Sequence, residues 1–221
     1  MGSHAARDEE SESSLSTSPA DQAEIDPAAN GTIRAILEAG VLCLARFGQD
    51  RTSMQVIAHA AGVNRTTLYR YFSDRNQLFN AISAYVRDKQ RADVAERIHD
   101  DASLEDALAT VAEVLASVAA DFHIPEHLRR HDRGLAQYYG LYGRDRHEWI
   151  SSLVGPPIAR AAQAGELAEG LTEAEAVEWA ALVLMLIETL PGSVSLDIRD
   201  PGAVGRVFAR RICRGIGRPR S

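Results

Sequence analysis

Residues 52–75 read TSMQVIAHAAGVNRTTLYRYFSDR, and this stretch decides the fold. Val56, Ile57, Ala60 and Ala61 recur at helical spacing and give a first short helix an apolar face. Thr52 stands where an N-cap hydroxyl is wanted, to accept a bond from an otherwise unpaired backbone N–H. Gly62 can take the left-handed conformation that closes such a helix. Val63 then turns inward, and Asn64 caps a second helix, Arg65 to Tyr71, whose single clear core anchor is Leu68. Its other side chains, Arg65, Thr66, Thr67, Tyr69, Arg70 and Tyr71, are long or hydroxylated donors with no need of an interior. That set suits a DNA major groove, where arginine reads guanine edges and hydroxyls reach phosphates.

The segment IAHAAGVNRTTLYRYFSDRNQLF, residues 57–79, resembles the helix-turn-helix of the tetracycline-repressor (TetR) family of bacterial transcriptional regulators. The matching features are the Ile-Ala start, the Ala-Gly-Val turn, the Thr-Leu-Tyr core, the aromatic pair Tyr71-Phe72 and the basic Arg75 that follows. The resemblance covers about Ile33 to Val86; beyond it, only the helical architecture is similar. It implies an all-α fold, with an N-terminal three-helix DNA-binding domain and a larger C-terminal helical domain for ligand binding and dimerisation. It also implies a homodimer on a palindromic operator, most simply a repressor released by a small-molecule effector. Thr67, Tyr69 and Tyr71 match the family's groove and phosphate contacts. Arg65, Thr66 and Arg70 are the candidates for base reading, and Thr52, Ser53 and Arg75 for holding backbone phosphates.

A net charge of −7 looks wrong for a DNA binder until it is divided along the chain. Residues 1–27 carry one arginine against seven acids; residues 28–91 carry nine Lys/Arg against four acids; residues 92–221 carry 14 arginines against 20 acids. Positive charge is therefore concentrated around the motif, where phosphate neutralisation needs it. Residues 1–27 hold almost no large apolar side chain and are expected to be a disordered acidic tail, either an inert solvating arm or a competitor of DNA for the basic face. No stretch of 18 apolar residues occurs, so no membrane partner is expected, and no apolar signal core stands at the N-terminus. Cys43 and Cys213 read as core thiols in a reducing cytoplasm.

The expected domains are 28–74 for DNA binding, 75–91 as a connecting helix, 92–217 for ligand binding and dimerisation, and a short tail, 218–221. A first helix from Pro27 or Ala28 to Phe47 shows a stripe through Ile33, Ile36, Leu37, Val41, Leu44 and Phe47, with Gly48 at its end. Ser73-Asp74 opens a fourth helix with Leu78, Phe79, Ile82 and Val86 inward; its positive end, with Arg75, is placed to hold a phosphate. Later helices are expected near 104–122, 126–142 and 145–166, the last interrupted at Gly155-Pro156-Pro157. A helix capped by Thr172 runs toward Leu190 and is apolar nearly all round, so burial on more than one side is expected. The final helix spans about Pro201 to Ile216. By the resemblance, the last two helices form the dimer seam, with Trp179, Val183, Leu186, Val204, Phe208 and Ile212 as its candidates; packing inside one protomer is the alternative.

The aromatic residues Phe122, Tyr138, Tyr139, Tyr142, Trp149 and Trp179, with His127 and His131, are the candidates for an effector cavity, because rings with polar tips both pack and hydrogen-bond. Core filling is the competing role. His123, His127 and His131 fall four apart and would suit a metal on one continuous helix, but Pro125 argues against that helix. A helical metal protein or enzyme, or an adaptor without DNA binding, remain the alternatives. No phosphate-binding Gly-rich loop and no serine nucleophile elbow appear, so neither catalysis nor a cofactor is expected.

Overall fold

The structure, a computed structural model, describes residues 27–121, 132–189 and 193–218, with side chains for 29–118, 145–187 and 193–218. Among these, the chain is helical apart from an isolated antiparallel bridge between Leu167 and Gly217. The helices are α1 (Pro27–Phe47), α2 (Met54–Ala60), α3 (Arg65–Tyr71), α4 (Arg75–Arg97), α5 (Leu104–Asp121), α6 (Asp132–Gln163), α7 (Glu173–Met185), a 3₁₀ turn (Leu186–Thr189) and α8 (Pro201–Ile216).

Two cores result. Ile36, Ala39 and Cys43 of α1, Met54 and Ile57 of α2, Leu68 of α3, and Leu78, Phe79 and Ile82 of α4 close the first. Burial pushes the Cys43 thiol above its ordinary pKa, and Cys43 and Cys213 form no disulfide. The second core gathers α5 to α8 around Leu108, Leu115, Ile150, Ile158, Leu184 and Ile212. Its member Val94 belongs to α4, so one rigid helix takes part in both cores. Tyr85 on α4 also donates to Glu38 on α1 at 2.9 Å, and Arg34 donates to the same carboxylate at 2.9 Å. The Arg34 and then the Tyr85 bonds hold the Glu38 carboxyl below its usual range. At the far end of α4, Arg97 pairs with Glu113 of α5 at 2.8 Å.

Several expectations change. The fourth helix is 23 residues long and reaches Arg97, past residue 91, because Gln90 and Val94 continue its buried stripe. Helix α6 is continuous over 32 residues, with no break at Gly143 and no new start at Pro156-Pro157. Leu153, Val154, Ile158 and Ala161 are buried on both sides of the prolines, and this packing offsets the lost backbone bonds. Helix α7 stops at Met185, ahead of the 3₁₀ turn, and buries only Ala176, Ala180, Ala181 and Leu184. Trp179, Leu182 and Leu186 stand 51%, 47% and 53% exposed, so α7 is not buried on several sides within the protomer. Val204 and Ile212 are 1% exposed each and face the core, which removes them from any surface seam. His123, His127, His131 and Phe122 lie outside the described residues; Tyr138, Tyr139 and Tyr142 lie on α6, but their side chains are outside them too.

Helices α5 and α8 cross where Gly205 lies against backbone: a Cβ there would sit 2.7 Å from the Ala109 carbonyl oxygen. Gly205→Ala is expected to force the two helices apart and destabilise the protein by about 1–3 kcal/mol, the usual cost of overpacking; an unchanged melting temperature would show that the crossing yields freely.

Candidate nucleic-acid interface

Local chemistry sets the two motif helices. Ser53 is the N-cap of α2, its hydroxyl oxygen accepting from the Val56 N–H at 3.3 Å. Gly62 ends the turn region in a left-handed conformation, φ 67°. Asn64 caps α3, its side-chain oxygen accepting from the Thr67 N–H at 2.7 Å. Leu68 is fully buried and is the one buried residue of α3. Around it, Arg65, Thr66, Tyr69 and Arg70 are exposed, while Thr67 and Tyr71 are half-buried. The Arg65 guanidinium lies 5.3 Å from the Tyr69 ring centre, and that of Arg70 lies 4.8 Å from the Tyr71 ring. Arg70 also donates to the Tyr71 hydroxyl at 2.9 Å. These pairings hold two extended cations on the outer face of α3, and exposed pairings of this kind are weak enough to exchange for a stronger acceptor.

Two of the expected phosphate anchors have other duties. Thr52 is 1% exposed and is not the cap of α2. Its hydroxyl lies 2.7 Å from the Gly48 carbonyl and 3.2 Å from that of Cys43, so it seals the C-terminal end of α1. Arg75 donates through Nε to the Thr52 carbonyl at 3.2 Å and through Nη2 to the Gln49 carbonyl. Its guanidinium also stacks 4.5 Å from the Phe79 ring centre. Arg75 therefore clamps the α1–α2 loop to α4. The N-terminus of α4 is already occupied by Asp74, which accepts from the Gln77 N–H at 2.9 Å. That bond, then the Ser73 hydroxyl, keeps the Asp74 carboxyl below its ordinary pKa. An ionised aspartate therefore stands at the helix end where a phosphate was expected. Ser53, exposed and with its hydroxyl proton uncommitted to the cap, keeps its place on the surface.

A second cluster lies where α4 meets α6. Gln90 is 3% exposed; its side-chain oxygen accepts from Arg146 at 3.4 Å, while its Nε2 has no hydrogen-bond partner among the described residues. The Arg146 guanidinium stacks 4.2 Å from the ring centre of Trp149, whose buried Nε1 also lacks a hydrogen-bond partner among the described residues. Gln90 and Arg146 were not among the sequence candidates. The signal was present: Ile82, Val86, Gln90 and Val94 fall every four residues, so Gln90 is a polar side chain on an apolar stripe. Trp179 does not join this cluster, since it is exposed and its indole lies over Gly215 of α8.

This geometry defines a class: a small helix-turn-helix module joined by a shared helix to a larger helical body. Residues 36–82 match the family described as bacterial regulatory proteins, tetR family. The HTH-type transcriptional repressor LfrR of Mycolicibacterium smegmatis is 35% identical over 82 residues, a stretch that spans 37% of this chain and 42% of that repressor. Solved structures agree in fold. A TetR-family regulator from Rhodococcus sp. superposes with a TM-score of 0.61 at 18% identity, covering 82% of this chain and 98% of that one. LfrR in complex with proflavine gives 0.54 at 22% identity, covering 86% and 98%. The SmeT–triclosan complex, SmeT being the repressor of a Stenotrophomonas maltophilia efflux pump, gives 0.54 at 18% identity, covering 85% and 92%. Residues 36–82 therefore carry a tetR-family helix-turn-helix module, within a fold that solved regulators of that family share, and the chain spans less than half the length of the curated relative it matches.

Thr52→Val, which keeps the shape and removes the hydroxyl, is expected to lower stability by about 1–2 kcal/mol through the loss of the bond to the Gly48 carbonyl. Arg75→Ala is expected to lower the melting temperature of the protein without DNA, whereas Arg70→Ala leaves it unchanged. Equal melting temperatures for both arginine variants would return Arg75 to the role of a free surface cation.

Proposed function

We propose that the chain is a transcriptional repressor that binds a palindromic operator as a homodimer and is released by a small-molecule effector. The observation that carries this reading is the outer face of α3, with Arg65, Thr66, Tyr69 and Arg70 exposed around a single buried anchor. Arg65 and Arg70 supply base contacts; Ser53, Thr67 and the tyrosine hydroxyls supply phosphate contacts. Residues 28–74 act as the reading domain, and α4 carries motion from the ligand-binding and dimerisation region beyond residue 91. The similarity to LfrR, named a repressor, supports the direction of regulation.

Trp179, Val183 and Leu186, with Leu182 and the half-buried Phe208, form the dimer seam. An exposed apolar edge on a long helix next to α8 is the kind of surface that marks a partner interface. A two-fold pair places its reading helices about 34–36 Å apart, or a multiple of that, on successive turns of the duplex.

The effector site is the α4–α6 cluster. Two buried donors without acceptors, Gln90 Nε2 and Trp149 Nε1, flank a guanidinium, and this set favours a neutral or anionic acceptor over a cation. Because Gln90 lies on α4, a ligand that prefers one tilt of that helix changes operator affinity by its differential affinity for the two tilts.

In binding titrations, Arg70→Ala is expected to lose roughly 1–3 kcal/mol of discrimination at one base position while leaving the salt dependence nearly intact. Leu182→Glu is expected to give a monomer in sedimentation and to abolish operator binding; a dimer that persists moves the seam elsewhere. Triclosan, a phenol seen on SmeT, is expected to raise the melting temperature more than proflavine, a cation seen on LfrR. Gln90→Leu removes the triclosan shift. A proflavine shift of equal size, untouched by Gln90→Leu, dismisses the donor pair.

A further inference from the structure

On the first core, α1 and α2 leave an open groove of ≈ 600 Å³. Its apolar wall includes Leu42, Phe47 and Val56; Leu42 is 69% exposed and Phe47 is 41% exposed. Arg46 and His59 form its polar rim, no acid lines it, and Ser53 stands at its edge. A large exposed leucine beside an exposed phenylalanine, with the Arg46 guanidinium and the His59 imidazole along the lining and no acid in it, asks for an occupant that is apolar at one point and acidic around it.

The chain contains such a segment. Residues 8–16 read DEESESSLS, four acids within five positions followed by Leu15. Leu15 stands twelve residues before Pro27, where α1 begins, and twelve extended residues span up to ~40 Å. The groove lies about 15–20 residues along α1, or ~22–30 Å from Pro27 at the helical rise. The length of chain between Leu15 and Pro27 is therefore sufficient for the segment to reach the groove.

We propose that residues 8–16 dock on the α1–α2 groove, with Leu15 in the apolar floor and the acids of residues 8–12 over Arg46 and His59. The occupant is this chain's own segment because length, charge and the single leucine all match. Ser53 belongs both to the groove edge and to the proposed phosphate contacts, so a docked acidic segment occupies the edge that a duplex needs. The groove then acts as an internal competitor of DNA, a consequence that rests on the DNA-binding reading above.

The test uses the full chain. In a Cys213→Ser background, L15C/L42C is oxidised and compared with L15C/E169C, Glu169 being exposed in the loop after α6; buried Cys43 is a poor competitor, since its thiol is pushed up. An intramolecular cross-link is expected for the first pair and not the second. No link, or equal links, overturns the docking. Affinity for a mixed-sequence duplex is then measured at low salt for L42S and for D8N/E9Q/E10Q/E12Q. Each is expected to tighten binding about three- to tenfold, and the two combined no further. Tightening by the neutralised segment alone means that charge acts without a seat, and overturns the proposal. A change of oligomeric state with L42S assigns the groove to a second copy and does the same. A specific cross-link in a protein that binds no duplex upholds the docking and removes the DNA-binding reading instead.

Discussion

A seven-residue helix cannot hold itself in water, because helix nucleation costs more than two turns return. The whole regulatory reading depends on α3 being kept in one orientation by what lies under it. Leu68 supplies that anchor, fully buried among Ile36, Ile57, Leu78 and Ile82. The ends are fixed by Asn64 before the helix and by the Phe72 N–H, which donates to the Leu68 carbonyl at its close. Everything else on α3 is then free to face outward. The cost of that economy is that α3 has the same rigidity as the core beneath it and no more.

The core in turn is closed by an unusual use of polar groups. Thr52 and Arg75 join three segments by bonding to backbone carbonyls at the end of α1 and in the loop that follows. Backbone acceptors at a helix end must be met by something, and here they are met by side chains from the next two elements. The result couples α4 to the loop before α2 through a charged clamp, not only through apolar contact. Since α4 also places Val94 in the second core, a tilt of α4 cannot leave the position of α2 and α3 unchanged. The long-range link between the two halves is thus a single continuous helix with a fixed attachment at each end.

Much of this was legible in the residues. The spacing of Ile57, Leu68, Leu78 and Ile82 marked the first core, and Gly62 and Asn64 marked the turn and the second cap. Thr52 misled because a hydroxyl one residue before a helix has two possible uses, capping forward or sealing backward, and the choice depends on where α1 ends in space. Arg75 misled similarly, since its carbonyl partners lie 23 and 26 residues earlier in the chain. The α7 helix misled because apolarity all round does not by itself say which side is covered, and within the protomer Trp179, Leu182 and Leu186 stay exposed. Val204 and Ile212 could not be sorted from Phe208 by periodicity alone, because a helix that packs on one neighbour and borders another presents one broad apolar arc.

Gln90 illustrates the remaining lesson. An apolar stripe every four residues predicts a hydrophobic side chain at that position, and a buried amide there carries a cost unless each of its polar atoms finds a partner. Its oxygen has Arg146; its nitrogen has none among the described residues. Trp149 repeats the pattern on the facing helix, with a ring well packed and an N–H unmet. Both residues lie against the same Arg146 guanidinium, on the helix that serves both cores and on the helix that meets it. On the proposed reading, a ligand that supplies acceptors to both donors gains its differential affinity from this pair.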